Sequence, residues 1–563
     1  MARSMTESLP SWLRPAKNPI LLDWVCLVTA LLSTPALRTF GYIVKGKRPP
    51  DTFAYLTMSE RILSDGLLYI PGWEHVDQGL VLSPLFPLLI AMARPFASDG
   101  FHALALVNSL AVLSSVAIAY RVLRHYLPSL PSMIAVIGLA QLYPIHSLAL
   151  HTLSEGVFVA TSLLSVWMLL RLLDRPTAWR GVALGLALAS ATLARKPGLL
   201  VAIFAFGWLV LVAWRGRDTL PGPRTALGSV TGGFLVLFAP YALALQLQVG
   251  ATPIQQTISL DRYHVCTDDP VILAEIESLS TGPVKSWKTR RALTQLLPDA
   301  SEMYKSVGRG CQVTRPARGF HAFRLLGESP LLHVHNILSN FGHLGRAVSP
   351  LMLTLFLVTA ASAAWRSMHA GSWPRDLALP ALVLFSTVAL SLVAGSTIER
   401  YMHPLIALVY LSLAHEVYVL SERIPHRLKG KGIVAVVVLA GFGAWTDQRN
   451  LPVRPAPSAF EKSCDIGGEG VFSLDKGSSY AVGGIHRTLP DADFEQFREY
   501  ARRTGTRWLA IAHNRRAQKE IQARKRVAWL VSRQLELDYP GLLEPECDFF
   551  DGRGRLYRLI GSE

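Results

Sequence analysis

Four short stretches of the chain set charged, hydroxyl-bearing and aromatic residues beside long apolar runs. Pro49-Pro50-Asp51-Thr52-Phe53-Ala54-Tyr55-Leu56 begins a helical pattern that runs to Leu63 and stops at Asp65-Gly66, so the Asp51 carboxylate falls at a helix N-terminus. Asp51 is equally readable there as an N-cap. His151-Thr152-Leu153-Ser154-Glu155-Gly156 offers a second carboxylate, Glu155, although Ser followed by Glu at a helix start is also an ordinary capping pattern. Leu193-Ala194-Arg195-Lys196-Pro197-Gly198 places two adjacent cations between short apolar runs. An anionic phosphate ligand would explain them, and interfacial snorkelling is the alternative. The fourth stretch, Ser396 to Pro404, holds Glu399, Arg400, Tyr401 and His403, with a plain surface pair between Glu399 and Arg400 as its simplest reading.

The elements that must position these groups follow from composition. The 563 residues are 50% hydrophobic and only 17% charged, and the mean hydropathy is +0.31. That excludes intrinsic disorder, fibrous repeats and a disulfide mini-scaffold, and leaves a polytopic α-helical membrane protein. Apolar runs near the length that spans a bilayer number about eleven: Pro19 to Val44, Ala103 to Leu123, Met133 to Leu150, Gly156 to Leu173, Gly181 to Ala194, Gly198 to Trp214, Thr225 to Val249, Pro350 to Trp365, Leu377 to Gly395, Pro404 to Leu420 and Gly432 to Trp445. Leu80 to Phe96 is interrupted by Pro84 and Pro87 and is expected to be interfacial or re-entrant, because lipid cannot replace the ladder bonds that proline removes.

Orientation follows from the short loops. With the N-terminus inside, Arg121, Arg124, Arg171, Arg175, Arg180, Arg215, Arg217, Arg224, Arg366, Arg375, Arg423, Arg427, Lys429 and Lys431 all fall on the cytoplasmic side. Arg195, Lys196 and Arg400 break this rule. The N-terminal run is too long for a removed signal and is expected to be a retained first span. Residues 1–445 then form the transmembrane domain, with a first outer loop at 45–100 and a large outer loop at 250–346. Residues 446–563 form a small extracytoplasmic α/β domain with strands at Gly470 to Leu474, Ser479 to Gly484, Trp508 to Ala512 and Arg555 to Ile560, a helix at Asp491 to Arg503, and a hairpin turn at Asp551 to Gly554. This tail balances nineteen Lys and Arg against seventeen Asp and Glu, so the net charge of +16 is no sign of a nucleic-acid partner. Cys266 and Cys311 share the large loop, and Cys464 and Cys547 share the tail, so two disulfides are expected, with four free thiols as the alternative.

In this order, the motifs resemble the GT-C superfamily of membrane glycosyltransferases, in particular bacterial members related to glycosyltransferase family 39 and the aminoarabinose lipid A transferases. The resembling residues are Asp51 with Tyr55 and Leu56, Ser83-Pro84-Leu85-Phe86-Pro87-Leu88-Leu89, Ser154-Glu155, Arg195-Lys196-Pro197-Gly198-Leu199-Leu200 and Glu399-Arg400-Tyr401-Met402-His403-Pro404-Leu405. The resemblance implies a sugar donor carried on a polyprenyl phosphate, an acceptor that is lipid, glycan or protein, and a place in the bacterial inner membrane. It implies Asp51 and Glu155 as catalytic carboxylates, with Arg195, Lys196, Arg400 and Tyr401 at the donor phosphate and Tyr55, Glu60, Ser83, Pro84, Glu399 and His403 in support. Many such enzymes carry Asp-Glu at the start of the first loop, where this chain has Asp51-Thr52. The missing carboxylate weakens the case for a metal. A divalent ion on Asp51 and Glu155 is left open, with Glu60 as a substitute ligand, and no cofactor is otherwise implied. His333-Val334-His335 has the spacing of interfacial histidines rather than of metal ligands. A transporter or lipid-linked-sugar flippase is the rival class and an envelope scaffold the third; against the transporter, the charges sit at the outer mouths of spans and no repeated halves are detectable.

Overall fold

A computed structural model describes residues 19–38, 40, 42–44, 50–66, 83–215, 223–249, 264–266, 314–316, 330–370, 376–394, 402–423, 431–445, 453–455, 464–474, 476–489, 493–512, 529–530, 535–549 and 552–560. The first part of the chain contributes α1 (Pro19–Leu32), α2 (Pro35–Arg38), β1 (Tyr42–Val44), α3 (Pro50–Asp65), α4 (Leu85–Ala93), α5 (Gly100–Leu123), α6 (Ser129–Gln141), α7 (Tyr143–His146), α8 (Glu155–Asp174), α9 (Ala178–Ala194), α10 (Gly198–Arg215) and α11 (Pro223–Val249). Beyond the short strands β2 (His264–Cys266) and β3 (Thr314–Pro316) come α12 (Pro330–Val348), α13 (Pro350–Ala370), α14 (Ala378–Ala394), α15 (His403–Arg423) and α16 (Lys431–Trp445). The tail supplies β4 (Val453–Pro455), β5 (Gly470–Ser473), α17 (Lys476–Ala481), β6 (Ile485–Thr488), α18 (Phe494–Thr504), β7 (Trp508–Ala512), α19 (Leu535–Asp538), β8 (Leu543–Phe549) and β9 (Gly554–Leu559).

Apolar length accounts for the long helices. Among the described residues, Gly100–Leu123, Glu155–Asp174, Thr225–Ala244 and His403–Ser421 are each long and apolar enough to cross a bilayer, and six spans result if two bent pairs each count as one. The expectation of about eleven is therefore not reached by length and composition, because several of the expected runs form helices of only 10–17 residues. Met133 to Leu150, expected as one span, is broken after Gln141 and bends by 71°. Leu142 turns extended at the break, and Pro144, near the start of α7, lacks the N–H that would continue the α6 ladder. The predicted re-entrant segment is the short helix α4 followed by a 3-10 turn, Arg94–Phe96.

The core runs through α15, most of whose side chains are buried, whereas α11 lies at the periphery and exposes Leu235, Val236, Leu243 and Leu247. Large exposed apolar residues on α1, α10, α11, α13 and α16 make an outer surface suited to lipid. At one end of the bundle Asp23 of α1 accepts from Tyr120, Arg121, Arg124 and Ser129 at 2.6–3.2 Å, His125 meets Asp174 at 2.9 Å, and Arg366 pairs with buried Glu416. The opposite end carries α3, α4 and the tail.

The tail is built on a five-stranded sheet in the order β6-β5-β7-β9-β8. β5 runs parallel to β6 and β7, and β9 runs antiparallel to β7 and β8. Phe494, Phe497 and Ala501 of α18 close one face, while Ala481 and Val482 cover Val471, Ala510 and Leu556 on the other. Ser479 to Gly484, expected as a strand, instead contains the end of α17. Parallel neighbours β5 and β6 require a crossover, and α17 provides it. β1 pairs antiparallel with β4, which ties the exit of α1 to the start of the tail.

Candidate functional site

Asp51 lies in the first turn of α3, one residue inside Pro50 and partly exposed, so it is not the N-cap; a carboxylate there is favoured by the partial positive charge of the helix end. The following residues from Thr52 to Leu56 are all buried. The Thr52 hydroxyl lies 2.6 Å from the Thr152 hydroxyl and donates to the Thr152 carbonyl at 3.1 Å. One turn on, the Tyr55 hydroxyl meets Ser154 Oγ at 3.0 Å, and its ring stands edge-on to Phe86 at 5.0 Å. Phe86 comes from the Ser83-Pro84 motif: Pro84 immediately precedes α4, and Phe86 and Pro87 are buried. From α5, the Asn108 amide donates to the His151 carbonyl at 2.6 Å. The 151–154 loop is thus fastened to two helices before α8 begins.

Ser154 occupies the N-cap position of α8 but makes no side-chain cap, because its hydroxyl is turned to Tyr55. The capping reading of this motif therefore fails. Glu155, the first residue of α8, has a side chain only 3% exposed, and its Oε1 lies 2.6 Å from Nη1 of Arg195. Arg195 ends α9 and is itself buried. The turn after it is tight: the Gly198 N–H donates to the Arg195 carbonyl at 2.8 Å, and a Cβ at Gly198 would fall 2.1 Å from the Ala191 carbonyl oxygen. Only glycine allows α9 and α10 to approach this closely. Lys196 is half-buried in the same turn. One phenol registers the whole cluster: burial raises the Tyr55 pKa, Arg195 opposes the rise, and Glu155 and Asp51 add to it.

A small apolar pocket lies between α8, α10, α14 and α15, lined by Phe158, three residues after Glu155, and by Pro197, two after Arg195. Pro197 follows Lys196 and Pro404 opens α15, so the pocket joins two of the four sequence clusters, and Phe158 stands one turn into α8 from a third. The buried hydroxyls of Ser162 and Ser386 are among its few polar groups.

The other expected residues fall as follows. Ser83 is half-buried just before α4, and His403, half-buried, begins α15. Glu399, Arg400 and Tyr401 lie outside the described residues. Glu60 stands about 13 Å along α3 from Asp51 by helical rise and accepts instead from Tyr480 of the tail at 2.8 Å. It does not supply the second carboxylate of the first loop. The donor set does not fit a divalent ion either. Arg195 sets a fixed positive charge against Glu155, and among the described residues no three His, Cys, Asp or Glu side chains gather. Cys464 and Cys547 are joined by a disulfide with Cα atoms 6.4 Å apart, while Cys311, the expected partner of Cys266, lies outside the described residues. Sequence reading missed Asn108, Thr152 and Tyr480 as positioning groups. A lone amide within an apolar span was the available signal for Asn108.

Residues 82–243 match the family model described as dolichyl-phosphate-mannose-protein mannosyltransferase. The match takes in Glu155, Arg195 and Lys196 and leaves Asp51 and Arg400 outside it. The matched stretch is under a third of the chain. Among curated proteins none matches significantly. Three solved structures are similar in outline. The Archaeoglobus fulgidus oligosaccharyltransferase complexed with zinc and sulfate is 12% identical, with 87% of this chain and 68% of that chain covered and a TM-score of 0.49. AglB of the same organism, with an inhibitory peptide and dolichol-phosphate, is 11% identical, with 95% and 73% covered and a TM-score of 0.47. ArnT from Cupriavidus metallidurans, bound to undecaprenyl phosphate, is 12% identical, with 96% and 98% covered and a TM-score of 0.37.

Proposed function

We propose that the chain transfers a sugar from a polyprenyl-phosphate donor to a lipid, glycan or protein acceptor on the extracytoplasmic face of a bacterial inner membrane, with inversion at the anomeric carbon. The observation that carries this reading is the buried Glu155–Arg195 pair, next to Lys196 and close in sequence to Phe158 and Pro197 of an apolar pocket, within the stretch matched by the mannosyltransferase family. Cations near an apolar pocket suit a phosphate carried on an apolar tail. Asp51 takes the proton of the acceptor hydroxyl as its oxygen bonds to the anomeric carbon. The bond from that carbon to the phosphate oxygen breaks, and its electron pair leaves with the phosphate, which Arg195, Lys196 and Arg400 stabilise as its charge grows. This leaving group is a weak base and needs no proton donor, so one carboxylate suffices, unlike the pair that a glycosidase requires. Glu155 holds the Arg195 guanidinium, which retains donors for phosphate because it carries five. In the Asp51→Asn variant, inserted and folded, transfer is expected to fall by at least about 100-fold; near-normal turnover removes Asp51 from the mechanism.

A further inference from the structure

The helix that carries Asp51 is held from both sides, and the second hold comes from a different domain. Tyr480 of α17 is buried between α3 and the start of α5. Its ring centroid lies 5.7 Å from that of Phe53 and 6.2 Å from that of Phe101, and its hydroxyl donates to Glu60 Oε1 at 2.8 Å. The fit is close: a Cβ on Gly100 would meet the Leu56 side chain at 3.0 Å and the Tyr480 hydroxyl at 3.6 Å. A second contact is made by the residue after Glu60, Arg61, which is held by Asp65 at 2.7 Å and reaches the Gly468 carbonyl at 3.4 Å. Gly468 has φ +80°, a backbone conformation that favours glycine. The helix bearing Tyr480 is itself locked to the sheet. Ser479 Oγ lies 2.7 Å from Ser473 Oγ at the end of β5 and 3.1 Å from His486 Nδ1 on β6, and Ser473 Oγ is 2.9 Å from the same nitrogen.

We propose that the C-terminal domain is a positioning element for α3, and that Tyr480 sets through Glu60 the place of Asp51, Thr52 and Tyr55 against the Glu155–Arg195 pair. Tyr480 is a positioning residue, since it acts on Asp51 through its contacts with Glu60 and Phe53 of α3. Two anchors on one rigid helix, Thr52 and Tyr55 near its start and Glu60 near its end, fix its axial position and rotation. With the second anchor lost, α3 pivots about the first. Burial raises the Tyr480 pKa and the neighbouring Glu60 charge adds to the rise, so the phenol remains a hydrogen donor across the physiological range.

The effect on α3 stands independently of the transfer reading; only the effect on turnover rests on it. Amide exchange of the full chain in nanodiscs separates the two. In Tyr480→Phe, exchange over 50–65 is expected to quicken about tenfold while the tail sheet and the membrane helices keep wild-type rates. Glu60→Gln, whose amide oxygen still accepts from the phenol, is expected to stay within about twofold of wild type over the same residues, and Glu60→Ala to follow Tyr480→Phe. Under the transfer reading, kcat of Tyr480→Phe falls about tenfold with the donor KM unchanged. Unchanged α3 exchange in both Tyr480→Phe and Glu60→Ala overturns the proposal, and so does acceleration spread equally over the tail and the spans. If the wild-type chain transfers no sugar, the transfer reading fails while the exchange comparison still decides this one.

Discussion

Glu155 and Arg195 can be buried side by side only while both are present. Removing one leaves a charge without its partner in a site that water scarcely reaches. Arg195→Ala is therefore expected to cost about 3–5 kcal/mol of stability, whereas replacing both residues with apolar side chains of similar volume recovers most of that loss. Thermal unfolding in detergent checks the comparison, and donor binding should stay lost in the double variant. Tyr55 adds a pH expectation. Its folded pKa is raised, so its contribution is complete below the ordinary tyrosine range and fades only as pH climbs through and above that range. A change in activity between pH 6 and 9 accordingly belongs to another group, and Tyr55→Phe should leave the shape of that profile unaltered. At this scale the sequence marked Asp51, Tyr55, Ser154, Glu155 and Arg195 by type and by breach of the charge rule. It did not show that Glu155 faces Arg195 forty residues on, because that contact depends on the register between α8 and α9. Nor did it show that Ser154 turns from its own helix to Tyr55, since the capping pattern and the tertiary bond use the same hydroxyl.

Helix packing places these side chains, and glycines decide where it is tight. A Cβ on Gly181 would collide with the Ser229 hydroxyl at 1.9 Å, one on Gly185 with the Val230 carbonyl at 2.1 Å, and one on Gly233 with the Val182 carbonyl at 2.3 Å. Small residues four apart on α9 and on α11 thus let two backbones meet, as membrane helices often do. Gly185→Leu should force the pair apart, destabilise the protein by about 1–3 kcal/mol and shift the turn that carries Arg195 and Lys196. Weaker donor binding measured beside the unfolding temperature would register both effects. Hydropathy found α5, α8 and α15 because long apolar content is what it measures. It could not see the 114° bend between α12 and α13, where Ser349 adopts φ +81° and its hydroxyl accepts from the Met352 N–H at 3.3 Å. In the tail, α17 was mistaken for a strand because a six-residue segment is too short for its period to declare itself.

Across the whole molecule, sidedness is coherent. The β1–β4 pair and the seating of α17 on α3 require the first loop and the tail to lie on one side of the membrane, so an even number of crossings separates them. Asp23, Arg121, Arg124 and Arg366 gather at the other end, where the short basic loops were expected to face the cytoplasm. The number of spans is not legible in the sequence where apolar helices shorten or bend. If the tail is extracytoplasmic, Cys464 and Cys547 should resist thiol labelling in whole cells until a reductant is added, and Cys464→Ser should destabilise the tail by up to about 4 kcal/mol given the 83-residue separation. The central claim is covalent transfer at the Asp51 end of the bundle. It is tested most directly by reconstituting the purified chain in vesicles with a radiolabelled polyprenyl-phosphate sugar and a membrane extract of acceptors. Label is expected to move covalently to an acceptor, and Asp51→Asn to prevent this; label that crosses the bilayer still attached to its polyprenyl carrier, with no acceptor product, would rule out transfer.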